Sequence, residues 1–407
     1  MNFDHKFSER ARVMKASEIR EILKLTQRPE IISFAGGLPN PLTFPKEIIR
    51  EIVVDLLDKN PELPLQYGTT EGVNPLREEI AKMCHEDGMD VGYEDIIITH
   101  GSQQALDLIG KVLLNPTDVV IVGAPTYLGA NSVWNQNRAS LHEVTVDDDG
   151  QVIEEAEVII KDLKARDHNV KFMYIMPNFH NPAGVTLSDK RRKMVLDLAK
   201  DQDLLILEDD PYGKIRFEGS SIRSIKARDD EGRVIYTSTF SKLLAPGFRI
   251  AWCTAHPDIL HKMVLAKQST DLNTNTFGQY VTYEYMARGH FKRHVPNIIK
   301  LYKEKCDIMV KAMKEYFPKE VKFTIPQGGM FSWAQLPEYV DAKHVLNHCI
   351  AKNVAYVVGS AFYANPLRGK SKMRLNFTHP ANDLIPVGIK VIAEAIEEHL
   401  RHPHSSH

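Results

Sequence analysis

Cysteine is scarce in this chain: four residues in 407, at Cys84, Cys253, Cys306 and Cys349, and no two of them form a Cys-x-x-Cys pair. That spacing argues against a zinc site or a redox dithiol and leaves a reducing cytoplasm as the simplest setting. Long apolar runs are missing as well, since none approaches the roughly 20 residues of a membrane-spanning helix. The opening Met1-Asn2-Phe3-Asp4-His5-Lys6 lacks the apolar centre of a signal peptide. Charge of one sign is also lacking, because a net charge of -2 leaves no electrostatic footprint for nucleic acid or an anionic membrane. Ligand binding must therefore come from a local site. No repeat and no low-complexity linker interrupts the chain, which points to closely packed domains. The histidines at His399, His402, His404 and His407 have no cysteine or acidic companions and read as a terminal tail, so no metal is assigned.

What the chain does contain is more than one hydrophobic core normally organises, so two domains are expected. From about residue 45 to 290, short apolar runs alternate with helical patterns. The runs are Ile96–Thr99, Val119–Val122, Phe172–Met176, Leu204–Leu207, Val234–Tyr236 and Ile250–Trp252. Nearly continuous aliphatic and β-branched composition marks strands buried on both faces, hence a mostly parallel sheet covered by helices, an α/β architecture. Between them, Leu106, Ile109 and Leu113 share one face of a predicted helix over Gln104–Leu114. After about residue 290 a long charged helix through Lys300, Lys303, Glu304 and Lys305 gives way to strands broken by Gly328-Gly329. A helix near Ile389 to Leu400 closes this second, smaller domain.

Ligands of open α/β sheets bind beyond the carboxyl ends of the strands, so the polar residues there carry the functional argument. Thr237 to Arg249 sets Lys242 among hydroxyls and ahead of a guanidinium, between two apolar runs. Lysine condenses with a carbonyl to give a Schiff base, and Ser241 and Arg249 suit a phosphate dianion. A ligand with both groups is pyridoxal phosphate. Ser102 and Gln103 follow Gly101 at a predicted helix start, a second anion cradle. Tyr127 could stack on a pyridine ring, and Asn181 could donate to its phenolic oxygen. Glu208-Asp209-Asp210 ends a buried run. Asp209 is the best partner for a protonated ring nitrogen, because Tyr212 then reaches the ring's other side. Each residue also has an ordinary reading: Lys242 as a solvated loop residue, Ser102 as a helix cap, Tyr127 as rim packing, Asn181 as a turn former, the carboxylates as solvent-exposed. Their shared position at strand ends is what favours one ring among them.

The motifs that carry a family resemblance are Ile32-Ser33-Phe34-Ala35-Gly36-Gly37-Leu38-Pro39-Asn40-Pro41, Tyr67-Gly68 with Gly72 and Leu76-Arg77, Gly101-Ser102-Gln103-Gln104, Asn181-Pro182-Ala183-Gly184, Glu208-Asp209-Asp210-Pro211-Tyr212, Ser241-Lys242, Gly328-Gly329-Met330-Phe331 and Met373-Arg374-Leu375. Over nearly its whole length the chain resembles the class I, fold-type I pyridoxal phosphate aminotransferases, and more narrowly the kynurenine and 2-aminoadipate group with its aromatic relatives. The resemblance implies a large domain over 45–289 with a mostly parallel seven-stranded sheet. It implies a smaller α+β domain from both termini, 1–44 and 290–407, and a mobile substrate-covering segment at roughly Glu18 to Leu38. Lys242 would be the Schiff-base lysine and proton carrier, Asp209 the partner of the ring nitrogen, Asn181 and Tyr212 those of the phenolic oxygen, and Tyr127 the stacking ring. Ser102, Gln103, Ser241 and Arg249 would hold the phosphate, joined by Tyr67 from the neighbouring subunit of an obligatory homodimer. Arg374 would grip the substrate α-carboxylate, with Asn181 and Gly37 beside it. Arg20 is a further candidate for a distal carboxylate, although Glu18 and Glu21 offer it a solvated ion pair.

Two departures stand out. Thr239 replaces a frequent serine and keeps the hydroxyl, while Arg249 follows Lys242 by only seven residues, with Pro246-Gly247 in the shortened loop. That loop also resembles the aminotransferase-like module of some transcription regulators, whose added helix-turn-helix domain is not expected here. The expected reaction is a two-stage, ping-pong transamination to a 2-oxo acid such as 2-oxoglutarate. A β-lyase or decarboxylase on the same scaffold, or a non-catalytic sensor, remains the alternative. Leu38, Phe34, Phe331 and Tyr363 suggest room for aromatic or apolar side chains, alongside 2-aminoadipate.

Overall fold

The computed structural model describes residues 3–14 and 28–401. Arg20, its neighbours Glu18 and Glu21, and the histidines 402, 404 and 407 lie outside the described residues. In chain order the strands are β1 (Ile32–Ser33), β2 (Ile96–His100), β3 (Val119–Ala124), β4 (Ser140–Asp147), β5 (Gly150–Gln151), β6 (Val170–Ile175), β7 (Leu205–Asp209), β8 (Val234–Thr239), β9 (Ile250–Thr254), β10 (Lys322–Phe323), β11 (Phe331–Gln335), β12 (Val354–Ala355), β13 (Val357–Val358) and β14 (Lys372–Asn376).

The large sheet has the order β2-β9-β8-β7-β6-β3-β4-β5. It holds eight strands where seven were expected. The extra one is the two-residue β5, which folds back on the end of β4 as an antiparallel hairpin. Six strands run one way, and β9 and β5 run against them. Every residue of β3, β8 and β9 is buried, as helices on both faces require. The helix Ser102–Leu113 shows why: Ala105, Leu106, Leu108 and Ile109 form its buried face.

A second sheet, β10-β11-β14-β13, is antiparallel throughout. Against it pack the 27-residue helix His290–Tyr316 and the closing helix Leu384–Arg401, whose apolar stripes include Ile298, Tyr302, Met309, Ile389 and Ile396. The charged look of the long helix belongs to its outer face. Lys305, though, is buried and donates to the Pro380 carbonyl, so not all of that charge is solvated.

The N-terminal segment is stitched into the smaller sheet's surroundings: β1 pairs in parallel with β12, and Asn376 N–H donates to the Phe34 carbonyl at 2.8 Å. Phe34 is fully buried in this core rather than open to a ligand. From there the chain runs past the carboxyl edge of the large sheet, and the Tyr302 hydroxyl accepts from Asn40 N–H at 3.0 Å. The turn after β6 meets the small sheet so closely that a Cβ on Gly184, φ +71°, would sit 2.6 Å from the Phe331 carbonyl oxygen. Among the described residues no helix is long and apolar enough to cross a membrane.

Candidate active site

Because β2, β3, β6, β7 and β8 point the same way, the segments after them emerge at one edge of the sheet. Arg249 joins them by immediately preceding the antiparallel β9. These segments and the small sheet enclose a cleft of about 570 Å³. Lys242, Asp209, Asn181, Tyr212 and Tyr127 line it, as do Ser102, Gln103, Ser241, Arg249, Arg374 and Gly37. Leu38, Phe34, Phe331 and Tyr363, expected to make room for the side chain, are not on this lining, and two expected cofactor and substrate contacts are also missing from it. Arg20 is outside the described residues, and Tyr67 is 81 % exposed at the surface beside a different hollow.

Strand alternation sorts the three carboxylates, all of which are buried rather than solvent-exposed. Glu208 and Asp210 share one face of β7 and its extension. Glu208 accepts from the backbone N–H groups of Ile225 and Lys226 at 2.9 and 2.8 Å, and Asp210 from Gly213 N–H at 2.9 Å and the Tyr236 hydroxyl at 3.3 Å. Asp209 takes the opposite face, toward the cleft. One of its oxygens, Oδ2, accepts from the Tyr174 hydroxyl at 2.7 Å; the other, Oδ1, is buried with no partner. Burial pushes Asp209 up to about 7, and the Tyr174 hydrogen bond works against that rise.

Lys242 ends the single turn Phe240–Lys242 after β8, a turn capped by the Thr239 hydroxyl, which accepts from Ser241 N–H at 3.1 Å. Its Nζ donates to the Gly37 carbonyl at 3.0 Å. Burial first, and then the guanidinium groups of Arg249 and Arg374, bring its pKa down to about 8. A lysine so placed is not a solvated loop residue.

At the other end of the cleft Gly101, at φ +76°, occupies the cap position of helix Ser102–Leu113, and no side chain caps it. Ser102 is the first helical residue rather than the cap, so the free N–H groups of that turn and their positive dipole end face the cleft. A Cβ on Gly101 would lie 2.0 Å from Arg249 Nη2, which shows how closely that guanidinium approaches the helix start. Arg249 itself sits in the left-handed region, φ 56°, with Nη1 3.5 Å from the Ser241 hydroxyl oxygen and donating to the Pro246 carbonyl at 3.3 Å. The Gln103 side chain is committed to the wall: it accepts from the Tyr127 hydroxyl at 3.2 Å and donates to the Gly129 carbonyl at 3.0 Å. Its backbone N–H is what it brings to the helix start.

Arg374, on β14, lies between the rings of Phe331 and Phe362, its guanidinium carbon 4.3 and 4.9 Å from their centres. Nη1 donates to Asn181 Oδ1 at 2.8 Å and Nη2 to the Ala35 carbonyl at 2.7 Å, while Nε has no partner. Burial lowers its pKa to about 10, with Tyr212 and Tyr127 opposing the change. Tyr212 packs edge-on against Phe331, and burial raises its hydroxyl above the ordinary tyrosine value. Sequence reasoning missed Tyr174 and Phe362. For Tyr174 a signal was present, since a hydroxyl inside a strand buried on both faces needs a partner.

The residues present fit pyridoxal phosphate. Asp209 on the cleft wall carries an orphaned carboxylate oxygen that suits a cationic ring nitrogen, an uncapped helix start with a guanidinium beside it suits a phosphate, and a desolvated amine lines the same cleft. Residues 45–387 match the sequence profile of the family described as Aminotransferase class I and II. The chain belongs to this family.

The aminotransferase is 48% identical, over 98% of its own length and 96% of the other, to the aromatic-amino-acid aminotransferase 1 of Thermococcus litoralis. A crystal structure of the kynurenine aminotransferase of Pyrococcus horikoshii, solved with PMP, superposes with a TM-score of 0.94 at 50% identity, covering 98% of each chain. The α-aminoadipate aminotransferase of Thermus thermophilus, solved with N-(5'-phosphopyridoxyl)-L-leucine, gives 0.91 at 34% identity, covering 98% of this chain and all of the other. The protein is an enzyme, and pyridoxal phosphate is its cofactor.

Proposed function

We propose that this aminotransferase moves the amino group of aromatic amino acids and 2-aminoadipate to a 2-oxo acid, with 2-oxoglutarate as the acceptor. The relatives named for aromatic, kynurenine and 2-aminoadipate substrates support the donor class. The observation that carries the reading is the placement of the Lys242 amine, the unpartnered Asp209 oxygen and the ring-sandwiched Arg374 in one cleft.

Arg374 holds the α-carboxylate by a bidentate fork that lysine could not reproduce, with Asn181 and Gly37 beside it. Ser102, Gln103, Ser241 and Arg249 hold the cofactor phosphate, and Tyr127 stacks on its ring. Asp209 pairs with the ring nitrogen, while Asn181 and Tyr212 face the phenolic oxygen. When bound, pyridoxal phosphate supplies the electron sink that draws charge from the substrate α-carbon. Lys242 Nζ takes the proton from that carbon, and its lowered pKa leaves about half of the amine neutral at pH 8. Donor and acceptor both carry an α-carboxylate and must use the same Arg374, so the first product leaves before the second substrate enters.

The exposed Tyr67 reaches the phosphate of a neighbouring subunit in a homodimer. Residues 45–289 form the cofactor domain, and 1–44 with 290–407 the smaller one. Four buried cysteines with no disulfide among them support a cytoplasmic setting. Phenylalanine, tyrosine, kynurenine and 2-aminoadipate, each offered with 2-oxoglutarate, are expected to yield glutamate with parallel double-reciprocal lines. Intersecting lines, or turnover without glutamate, would sink the proposal.

A further inference from the structure

Tyr174 lies inside the large sheet, on the strand next to Asp209. The β6–β7 register opposes Tyr174 to Leu207 and Ile175 to Glu208. Side chains of Leu207 and Asp209 share a face, so Tyr174 and Asp209 are diagonal neighbours on the cleft side of the sheet. The ring is fully buried and held by Trp134, which meets it edge-on at 6.0 Å and in turn packs edge-on against Phe172 at 5.2 Å. The Tyr174 hydroxyl donates to Asp209 Oδ2 at 2.7 Å, while Asp209, which lines the cleft, has its Oδ1 buried without a partner.

We infer that Tyr174 is a positioning residue for the cofactor ring: its hydroxyl fixes one oxygen of Asp209, so that the other is presented as an anion to the ring nitrogen. The inference rests on the assignment of Asp209 made above and adds the group that makes it work. A carboxylate buried among strands has two ways to fail. It can rotate so that neither oxygen faces the ring, or it can keep the proton that the ring must carry. The first is prevented by a hydrogen bond to one oxygen from a side chain that packing immobilises.

On the second, burial and the nearby Asp210 both favour the neutral acid, and no lysine or arginine contributes on the other side. The Tyr174 hydrogen bond is the one contribution there that favours the ionised form. The direction of that bond is secure, because burial and the Asp209 charge keep the Tyr174 hydroxyl protonated far above the ordinary tyrosine range. It can only donate.

The test is Tyr174→Phe, which keeps the ring and its packing on Trp134 and removes the hydroxyl alone. Three quantities are read: the dissociation constant of pyridoxal phosphate, the 15N resonance of bound cofactor labelled at its ring nitrogen, and kcat and KM separately. The expected result is a cofactor affinity about tenfold weaker and kcat about tenfold lower, the scale of one hydrogen bond to a charged group. The ring-nitrogen resonance should move from the protonated position toward that of neutral pyridine. KM for the amino acid should hold steady, because Arg374 is untouched. Asp209→Ala run in parallel separates the two levels of the argument. If Asp209→Ala moves the resonance and Tyr174→Phe leaves both resonance and affinity at the wild-type values, the role of Tyr174 is refuted while Asp209 keeps its own. If neither variant moves the resonance, the Asp209 assignment falls and the Tyr174 inference with it.

Discussion

Lys242 shows how one residue takes its chemistry from its surroundings. An ammonium group in water has no reason to release its proton near neutrality, but this one is short of water and faces two guanidinium groups. All three influences disfavour the charged form, so its pKa falls from 10.5 to about 8. The neutral amine is the nucleophile, and its fraction grows as pH rises through the pKa. Cofactor-free protein treated with trinitrobenzenesulfonate should therefore label Lys242 at a rate that is half-maximal near pH 8 and levels off above about pH 9, read by peptide mass spectrometry. A rate still rising toward pH 10.5, like that of surface lysines, would show that the amine is hydrated. Asp209 is the complementary case: the same burial that frees the lysine of a proton pushes one onto the carboxylate, unless a donor such as Tyr174 opposes it.

At the scale of elements, the helix Ser102–Leu113 and strand β7 explain why some assignments were legible and others were not. Gly101 before Ser102 marked an anion cradle in the sequence, yet whether Ser102 capped the helix depended on which residue stood at φ +76°. Alanine at Gly101, φ 76° and ψ 161°, would strain that conformation by about 1–3 kcal/mol. It would also drive a methyl group onto Arg249 Nη2, and that guanidinium can swing away because it ends a long side chain. The loss should then fall on phosphate binding rather than on the fold. Gly101→Ala is expected to weaken pyridoxal phosphate binding at least tenfold, with the melting temperature of the cofactor-free protein shifted by only a few degrees. Unchanged affinity would mean that the helix start does not hold the phosphate. In β7 the choice of Asp209 over its neighbours could be argued from chemistry alone, but what made it compelling was period-two alternation, which sends Glu208 and Asp210 to other partners. The expected end of the strand at Leu207 was two residues early, because buried carboxylates with partners extend a strand that solvated ones would have ended.

Across the whole molecule, the site is built from segments remote in the chain. Ala35 and Gly37 accept from Arg374 and Lys242, so the N-terminal segment ties the substrate end of the cleft to the cofactor end. Among the described cofactor-binding candidates Tyr67 stands apart, its side chain in the open. If a second subunit receives it, mixed dimers of Tyr67→Ala and Lys242→Ala chains each contain one intact site, with Lys242 from one protomer and Tyr67 from the other. Random exchange of the two inactive variants should then restore about a quarter of wild-type activity per dimer, since half the dimers are mixed and half their sites complete. No recovery, with mixed dimers demonstrated by native mass spectrometry, would place both residues in the same subunit's site or remove Tyr67 from it.

The amino-acid sequence by itself determined the α/β class, the strands and their carboxyl ends, and the set of side chains able to hold a phosphate, a ring and a carboxylate. Those follow from local rules: hydrophobic periodicity, turn chemistry and the donor and acceptor inventory of each residue. Only the tertiary structure decided that Phe34 packs in a core, that the Gln103 side chain serves the wall, that Phe331 and Phe362 flank Arg374, and that the Tyr174 hydroxyl donates to Asp209. Each of these depends on which face of a strand meets which neighbour, and on how much water is left there once the chain has closed.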